Sequence, residues 1–121
     1  MSERDARLYL SEMILSCGRV ADYIQELDGE RFRKTALYQD AVIRNLEIIG
    51  ETASKLLNDL RTRYPEVPWK GMIGFRNIAI HAYFAVDFAN VWHIASQLLP
   101  ELASQLQQIL DDLGGLAPQE N

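Results

Sequence analysis

The spacing of apolar residues along the chain is typical of amphipathic helices. Between Leu10 and Leu27, apolar residues recur every three or four positions, which places them on one face of a helix. The Asp28-Gly29 pair reads as a helix stop, and the polar stretch 28–34 is predicted to be a loop. The start of the chain therefore predicts one helix with a single buried face.

A second and longer helix is predicted from about Thr35 to Thr62, roughly seven turns at 3.6 residues per turn. Gly50 lies in its middle, where a glycine costs about 1 kcal/mol of helix stability. A close approach of another helix at Gly50 would offset this cost. The proline-containing stretch 64–68 ends the second helix.

Two further helices complete the predicted set. The third begins at Pro68 or Trp69, because proline suits the first turn of a helix. The fourth begins after Asp87, a candidate N-cap, and ends at the glycine pair 114–115. Pro100 lies within this last helix and predicts a kink or a short break there.

No segment shows the alternation of apolar and polar residues that indicates a β-strand. Four helices joined by short connections predict an all-α, antiparallel four-helix bundle. We expect residues 1–115 to form this single domain and residues 116–121 to form a short frayed tail.

The composition is that of an ordinary globular protein. The chain has 121 residues, of which 48% are hydrophobic and 24% charged, and these values exclude wholesale disorder. No apolar run approaches the ~18 residues of a membrane span, and the charged N-terminus lacks a signal-peptide pattern. Cys17 is the single cysteine, so no internal disulfide can form. These features predict a cytoplasmic protein with a reduced thiol and no membrane partner.

The distribution of charge restricts the possible ligands. The net charge is −5, and residues 77–121 contain no lysine or arginine. Only residues 31–76 carry a basic surplus, and most of it is expected to face solvent. A nucleic-acid binder usually has such a surplus, so the sequence permits a polyanionic partner locally without requiring one. One cysteine and two histidines cannot supply a zinc site of the usual spacing, and no metal or cofactor is predicted.

The stretch 74–87 holds the most distinctive chemistry, since Arg76, His81 and Tyr83 lie there within otherwise apolar sequence. In a straight helix Arg76 and His81 would be roughly 140° apart around the axis and ~7.5 Å apart along it. They would not converge on one small target. Either the helix ends just before His81 and turns the imidazole back, or two chains meet so that each motif completes the other. Asn77 would share a helix face with His81.

These residues resemble the motif of a known family. The pattern Arg-Asn-x-x-x-His-x-Tyr, here Arg76, Asn77, His81 and Tyr83, is similar to the Arg-x4-His-x-Tyr motif of HEPN-domain toxins of the HepT type. The resemblance covers most of the chain and extends to Ile48-Ile49-Gly50-Glu51, Pro68-Trp69, Val91-Trp92 and Leu98-Leu99-Pro100-Glu101-Leu102.

The resemblance implies a function as well as a fold. HEPN toxins are small all-helical proteins that form homodimers, in which the two motifs face each other across a cleft. Many of them are metal-independent ribonucleases. HepT-type members are encoded beside a minimal nucleotidyltransferase that acts as the antitoxin and transfers AMP units from ATP to the motif tyrosine. That modification site would be Tyr83 in this chain.

The roles implied by the resemblance fit the chemistry of RNA cleavage. RNA carries its own nucleophile, the 2′-hydroxyl, so no nucleophile from the protein is needed. His81 would transfer protons near neutral pH, and Arg76 would bind the scissile phosphate. Asn77 would orient the imidazole or bind phosphate. The expected products are a 2′,3′-cyclic phosphate and a 5′-hydroxyl.

Other interpretations remain open at this point. Arg76 would alternatively form a buried salt bridge with Glu51 on the neighbouring helix, and Glu51 would then also be able to orient Arg76. His81 would alternatively be a helix-terminal histidine bonded to a backbone carbonyl, and Tyr83 a packing residue. For the whole chain, the alternative to a ribonuclease is a non-catalytic HEPN subunit of a nucleotidyltransferase complex. A helical scaffold with a vestigial motif is a third hypothesis.

Overall fold

The computed structural model describes residues 2–115, and it is built from helices with short connections. No strand occurs within this range, which confirms the all-α fold. The predicted tail 116–121 lies outside the described residues. The helices are α1 (Glu3–Ile24), α2 (Gly29–Lys34), α3 (Ala36–Lys55), α4 (Asn58–Arg63), α5 (Trp69–His81), α6 (Phe88–His93) and α7 (Leu99–Asp112). A 3₁₀ turn (Tyr83–Ala85) follows α5, and a π-helical segment (Ile94–Leu98) joins α6 to α7.

Four long helical segments form an antiparallel bundle around one hydrophobic core. Helix α1 packs against α3 and α7, and α3 packs in turn against α5. The start of α1 meets the end of α7, where Arg7 Nη1 donates to the carbonyl of Leu113 at 3.2 Å. No helix within residues 2–115 has both the length and the hydropathy to cross a membrane. Fully buried core residues include Leu10, Met13, Val20, Val42, Ile49, Leu106 and Ile109.

Side-chain caps fix where several helices begin. Ser2 and Asp5 form a capping box at α1, in which Ser2 Oγ accepts from the Asp5 backbone N–H at 3.0 Å. Asp87 caps α6, since its Oδ1 accepts from the Ala89 backbone N–H at 2.9 Å. The predicted N-cap at Asp87 is therefore confirmed, and it sets the start of the last helix after the 3₁₀ turn.

The predicted loop at 28–34 is wrong, because these residues contain the short helix α2. Asp28 caps this helix by accepting from the Arg31 backbone N–H at 2.8 Å. Phe32 is fully buried, and its ring lies 5.4 Å from the ring of Trp92. A helix of six residues with one buried side chain shows no apolar periodicity, so the sequence pattern could not reveal it.

The prediction of one helix over residues 35–62 is also wrong. Helix α3 ends at Lys55, and the extended residues Leu56 and Leu57 separate it from α4. Leu56 and Leu60 are both buried. Their four-residue spacing is that of one helix face, although the helix is broken between them. The apolar spacing alone therefore could not locate the break.

The helix break expected near Pro100 takes the form of a π-helical segment. The chain stays helical from Phe88 to Asp112, and the Leu99 backbone N–H donates to the carbonyl of Ile94. Pro100 follows within the first turn of α7, where its missing N–H is tolerated. The widened turn therefore accommodates the proline without interrupting the helix.

Gly50 is the point of closest approach between α3 and α5. A Cβ atom there would lie 2.5 Å from the carbonyl oxygen of Met72 and 2.6 Å from Cβ of Arg76. The close helix–helix approach predicted at Gly50 is confirmed. This contact places Arg76 directly against α3 and so determines the geometry of the candidate site.

Candidate functional site

Arg76 faces α3 and forms an ion pair there with Glu51, through Nη1 and Oε2. The Arg76 side chain is 20% exposed and that of Glu51 is 48% exposed, so the pair lies at the edge of the core. The Arg76 Nε is buried and has no hydrogen-bond partner among residues 2–115. The salt bridge between Arg76 and Glu51, one of the two interpretations open from the sequence, is therefore present. It fixes the orientation of the guanidinium, which is what a positioning role for Glu51 requires.

His81 and Asn77 lie at the exposed C-terminal end of α5. The helix includes His81, so the expectation that it would end before this residue and turn the imidazole back is wrong. Both side chains are exposed, whereas the Arg76 guanidinium is held against α3. Arg76 and His81 both lie on α5, where a spacing of five positions separates side chains by roughly 140° around the helix axis.

Tyr83 occupies the 3₁₀ turn that follows α5, and its hydroxyl is tied back to α3. Tyr83 Oη donates to Asp40 Oδ1 at 3.1 Å, while 44% of the residue remains exposed. Partial desolvation, the hydrogen bond to Asp40 and the nearby charges of Asp40 and Glu47 raise the pKa of Tyr83 above its usual value. Tyr83 is not among the aromatic residues packed against the core, and its hydroxyl has a defined partner in Asp40.

The side of α3 next to the motif carries three acids and one base, Arg44, whose Nη1 lies 3.6 Å from Glu47 Oε2. Asp40, Glu47 and Glu51 are seven and four residues apart, so they lie on one side of the helix. Because α5 runs antiparallel to α3, Arg76 meets Glu51 while Tyr83 meets Asp40. Sequence reasoning missed Asp40, which is 43 positions from Tyr83. In the sequence, only its spacing indicates a role: Asp40 lies 11 positions before Glu51, which places the two acids on the same side of a helix.

Exposed apolar side chains surround His81. Phe84 is 96% exposed, and Ile78 and Ile80 are about half exposed. An apolar groove of about 450 Å³ lies between α5 and the last helical segment, and Ile78 is at its edge. Ile80 instead lines a separate depression beside Glu51, so apolar side chains are exposed on two sides of α5, as on surfaces that contact other molecules. The groove is lined mainly by Leu46, Ile49, Met72, Phe75, Ile94, Leu98 and Leu102.

The two tryptophans and the second histidine lie outside this site. The Trp69 indole is buried and donates to the carbonyl of Tyr64 at 2.9 Å, and Trp92 packs on Phe32. Both tryptophans therefore contribute to packing. His93 is exposed on α6. No group of three or more His, Cys, Asp or Glu side chains with a geometry suited to a metal ion occurs in the range 2–115.

The fold and the motif together define a small helical protein of the HEPN class. The sequence matches the family described as HepT-like, "Ribonuclease HepT-like", over residues 13–109. The chain therefore belongs to the HepT-like ribonuclease family.

Named relatives cover nearly the whole chain. A Methanocaldococcus jannaschii protein named "Putative RNase MJ1380" is 37% identical over 107 residues, which is 88% of this chain and 98% of the relative. A second protein of that organism, "Putative RNase MJ0125", is 34% identical over 93% of this chain and 97% of its own length. "Probable ribonuclease HepT" of Thermococcus cleftensis is 33% identical over 88% of this chain and 97% of its own length. No solved structure matches the chain significantly.

Proposed function

We propose that this chain is a metal-independent endoribonuclease of the HepT type, in which Arg76 and His81 form an active site shared between two copies. The observation that carries the proposal is the placement of both residues on α5. Arg76 is held against α3 by Glu51, while His81 is exposed at the helix end. Helical spacing separates the two side chains by roughly 140° around α5, which supports a site that a second copy completes.

In the proposed RNA cleavage, the motif residues and Glu51 each have a separate role. His81 takes the proton from the RNA 2′-hydroxyl or supplies one to the leaving 5′-oxygen, since an imidazole can both accept and donate a proton. The guanidinium of Arg76 binds the scissile phosphate and stabilises the charge that develops on its oxygens. Glu51 positions Arg76 through the ion pair, and Asn77 lies one turn before His81 on the same helix face. The products are a 2′,3′-cyclic phosphate and a 5′-hydroxyl.

The surface around His81 supports a homodimer. Phe84, Ile80 and Ile78 expose apolar area beside the motif, and a two-fold axis there would bury these side chains against their copies. The same axis would bring the His81 of one chain towards the Arg76 of the other. The dimer interface and the active site would then be one surface.

Control of this activity by a nucleotidyltransferase antitoxin is part of the proposal, and Tyr83 is its target. The Tyr83 hydroxyl is exposed two residues after His81. Transfer of AMP to this oxygen would add bulk and a phosphodiester anion to a cleft that must admit RNA phosphate. The added anion would compete for Arg76 and repel the substrate, which would switch the toxin off.

Cleavage of total RNA and transfer RNA in EDTA tests the enzymatic part of the proposal. We expect wild type to leave cyclic-phosphate ends, and Arg76→Ala and His81→Ala each to lose at least ~10²-fold in rate. His93→Ala is the matched control, because His93 is an exposed histidine outside the motif. Absence of cleavage by wild type would instead favour a non-catalytic subunit of a nucleotidyltransferase complex.

Mixing the two inactive variants tests whether the site is shared. In a heterodimer of Arg76→Ala and His81→Ala, one composite site is intact and the other lacks both residues. Random subunit exchange should therefore restore about a quarter of the wild-type rate. No recovery after exchange, or a monomer in light scattering at micromolar concentration, would contradict the shared site.

A further inference from the structure

The hydrogen bond between Tyr83 and Asp40 joins the proposed modification site to a carboxylate that the motif does not include. Tyr83 Oη is the donor and Asp40 Oδ1 the acceptor, 3.1 Å apart. Both side chains are exposed, so an enzyme that carries a nucleotide can reach the hydroxyl without rearranging the core. The bond also holds the 3₁₀ turn against α3 and restricts the direction of the phenolic oxygen.

We propose that Asp40 is the general base for the modification of Tyr83, a role that rests on the nucleotidyl transfer proposed above. Tyr83 Oη attacks the α-phosphorus of ATP bound to the nucleotidyltransferase, and a new oxygen–phosphorus bond forms. The bond from that phosphorus to the β-phosphate bridging oxygen breaks, and pyrophosphate leaves. The phenolic proton passes to Asp40 Oδ1 and then to solvent.

The geometry favours this role over attack by a preformed phenolate. A phenolate at Tyr83 would lie beside the carboxylates of Asp40 and Glu47, which disfavour a second negative charge and raise the pKa of Tyr83. The same carboxylate at Asp40 is well placed to accept the proton while the oxygen–phosphorus bond forms, because the attacking oxygen becomes strongly acidic at that stage. Asp40 thus suppresses ionisation in the resting state and assists proton loss during the reaction.

The charged groups near the Tyr83 hydroxyl come from two elements. Asp40 and Glu47 lie on α3 and raise the pKa of Tyr83, and Arg44, on the same side of α3, is paired with Glu47. His81 lies two residues earlier in the chain, at the end of α5. Glu47 is the appropriate comparison for Asp40, since both are acids on the same side of α3, but only Asp40 is bonded to the hydroxyl.

The test measures the rate of AMP addition to Tyr83 by intact mass, with ATP and a minimal nucleotidyltransferase of the kind proposed above as the antitoxin. Asp40→Asn keeps an oxygen that can accept the hydrogen bond but cannot take the proton. Its rate at pH 7 should fall roughly 10²-fold, whereas Glu47→Gln should stay within about twofold of wild type. Tyr83→Phe should gain no AMP at all.

The pH profile separates proton transfer from a merely structural role. Without the base, attack requires a preformed phenolate, so the Asp40→Asn rate relative to Glu47→Gln should rise about tenfold per pH unit between pH 7 and 9. Retained RNA cleavage by Asp40→Asn would show that the variant is folded. Modification of Asp40→Asn at the wild-type rate would overturn the role of Asp40. So would a slower rate whose ratio to the Glu47→Gln rate is the same at every pH. Failure of wild type to gain AMP would overturn the modification site itself as well.

Discussion

Replacement of Gly50 by alanine places a methyl group in the contact between α3 and α5. The new Cβ would lie 2.5 Å from the carbonyl oxygen of Met72 and 2.6 Å from Cβ of Arg76. Neither neighbour is the flexible end of a side chain, so the clash can be relieved only by moving one helix away from the other. We therefore expect Gly50→Ala to destabilise the protein.

The size of the effect follows from two opposing terms. Overpacking of this kind costs roughly 1–3 kcal/mol, and rigid neighbours place Gly50 in the upper part of that range. Alanine in place of glycine within a helix returns about 1 kcal/mol. The expected net loss in the free energy of unfolding is about 1–2 kcal/mol.

Gly18→Ala provides the matched control, because Gly18 lies within α1 and nothing is within 4 Å of a Cβ atom built there. This substitution has the helix-propensity gain without the clash, so it should stabilise the protein by roughly 0.5–1 kcal/mol. The two variants should then differ by roughly 10 °C in Tm in a scan at one fixed protein concentration. If Gly50→Ala were as stable as wild type or more stable, the argument that α5 packs on α3 at this glycine would be refuted.

Two further predictions concern other parts of the chain. Asp28→Ala removes the side-chain cap of α2 and should cost about 1 kcal/mol in urea unfolding, whereas Asp22→Ala, at an exposed position within α1, should change stability by less than ~0.5 kcal/mol. Burial raises the pKa of the Cys17 thiol to about 11, so little thiolate exists at pH 8. A thiol reagent should label Cys17 at least ~100-fold more slowly in the folded protein than in urea, and equal rates would show that the thiol is accessible.

Much of the candidate site was predictable because its residues are close together in the sequence. Arg76, Asn77, His81 and Tyr83 lie within eight positions, and Arg76, Asn77 and His81 share the helix that the sequence predicts to begin at Pro68 or Trp69. The pairing of Arg76 with Glu51 was also foreseen as one of two open interpretations. The contact of Asp40 with Tyr83 was not foreseen, since no local pattern joins positions 43 apart.

The sequence by itself determined the helical class, the start of the last helix at Asp87 and the residues of the motif. Local features carry this information, because apolar periodicity, caps and motif spacing act over a few neighbouring residues. Tertiary structure alone decided that residues 29–34 are helical, that α3 ends at Lys55, and that α3 carboxylates meet the motif. Those outcomes depend on how separate helices pack against each other, and in particular on the register at which α5 lies along α3.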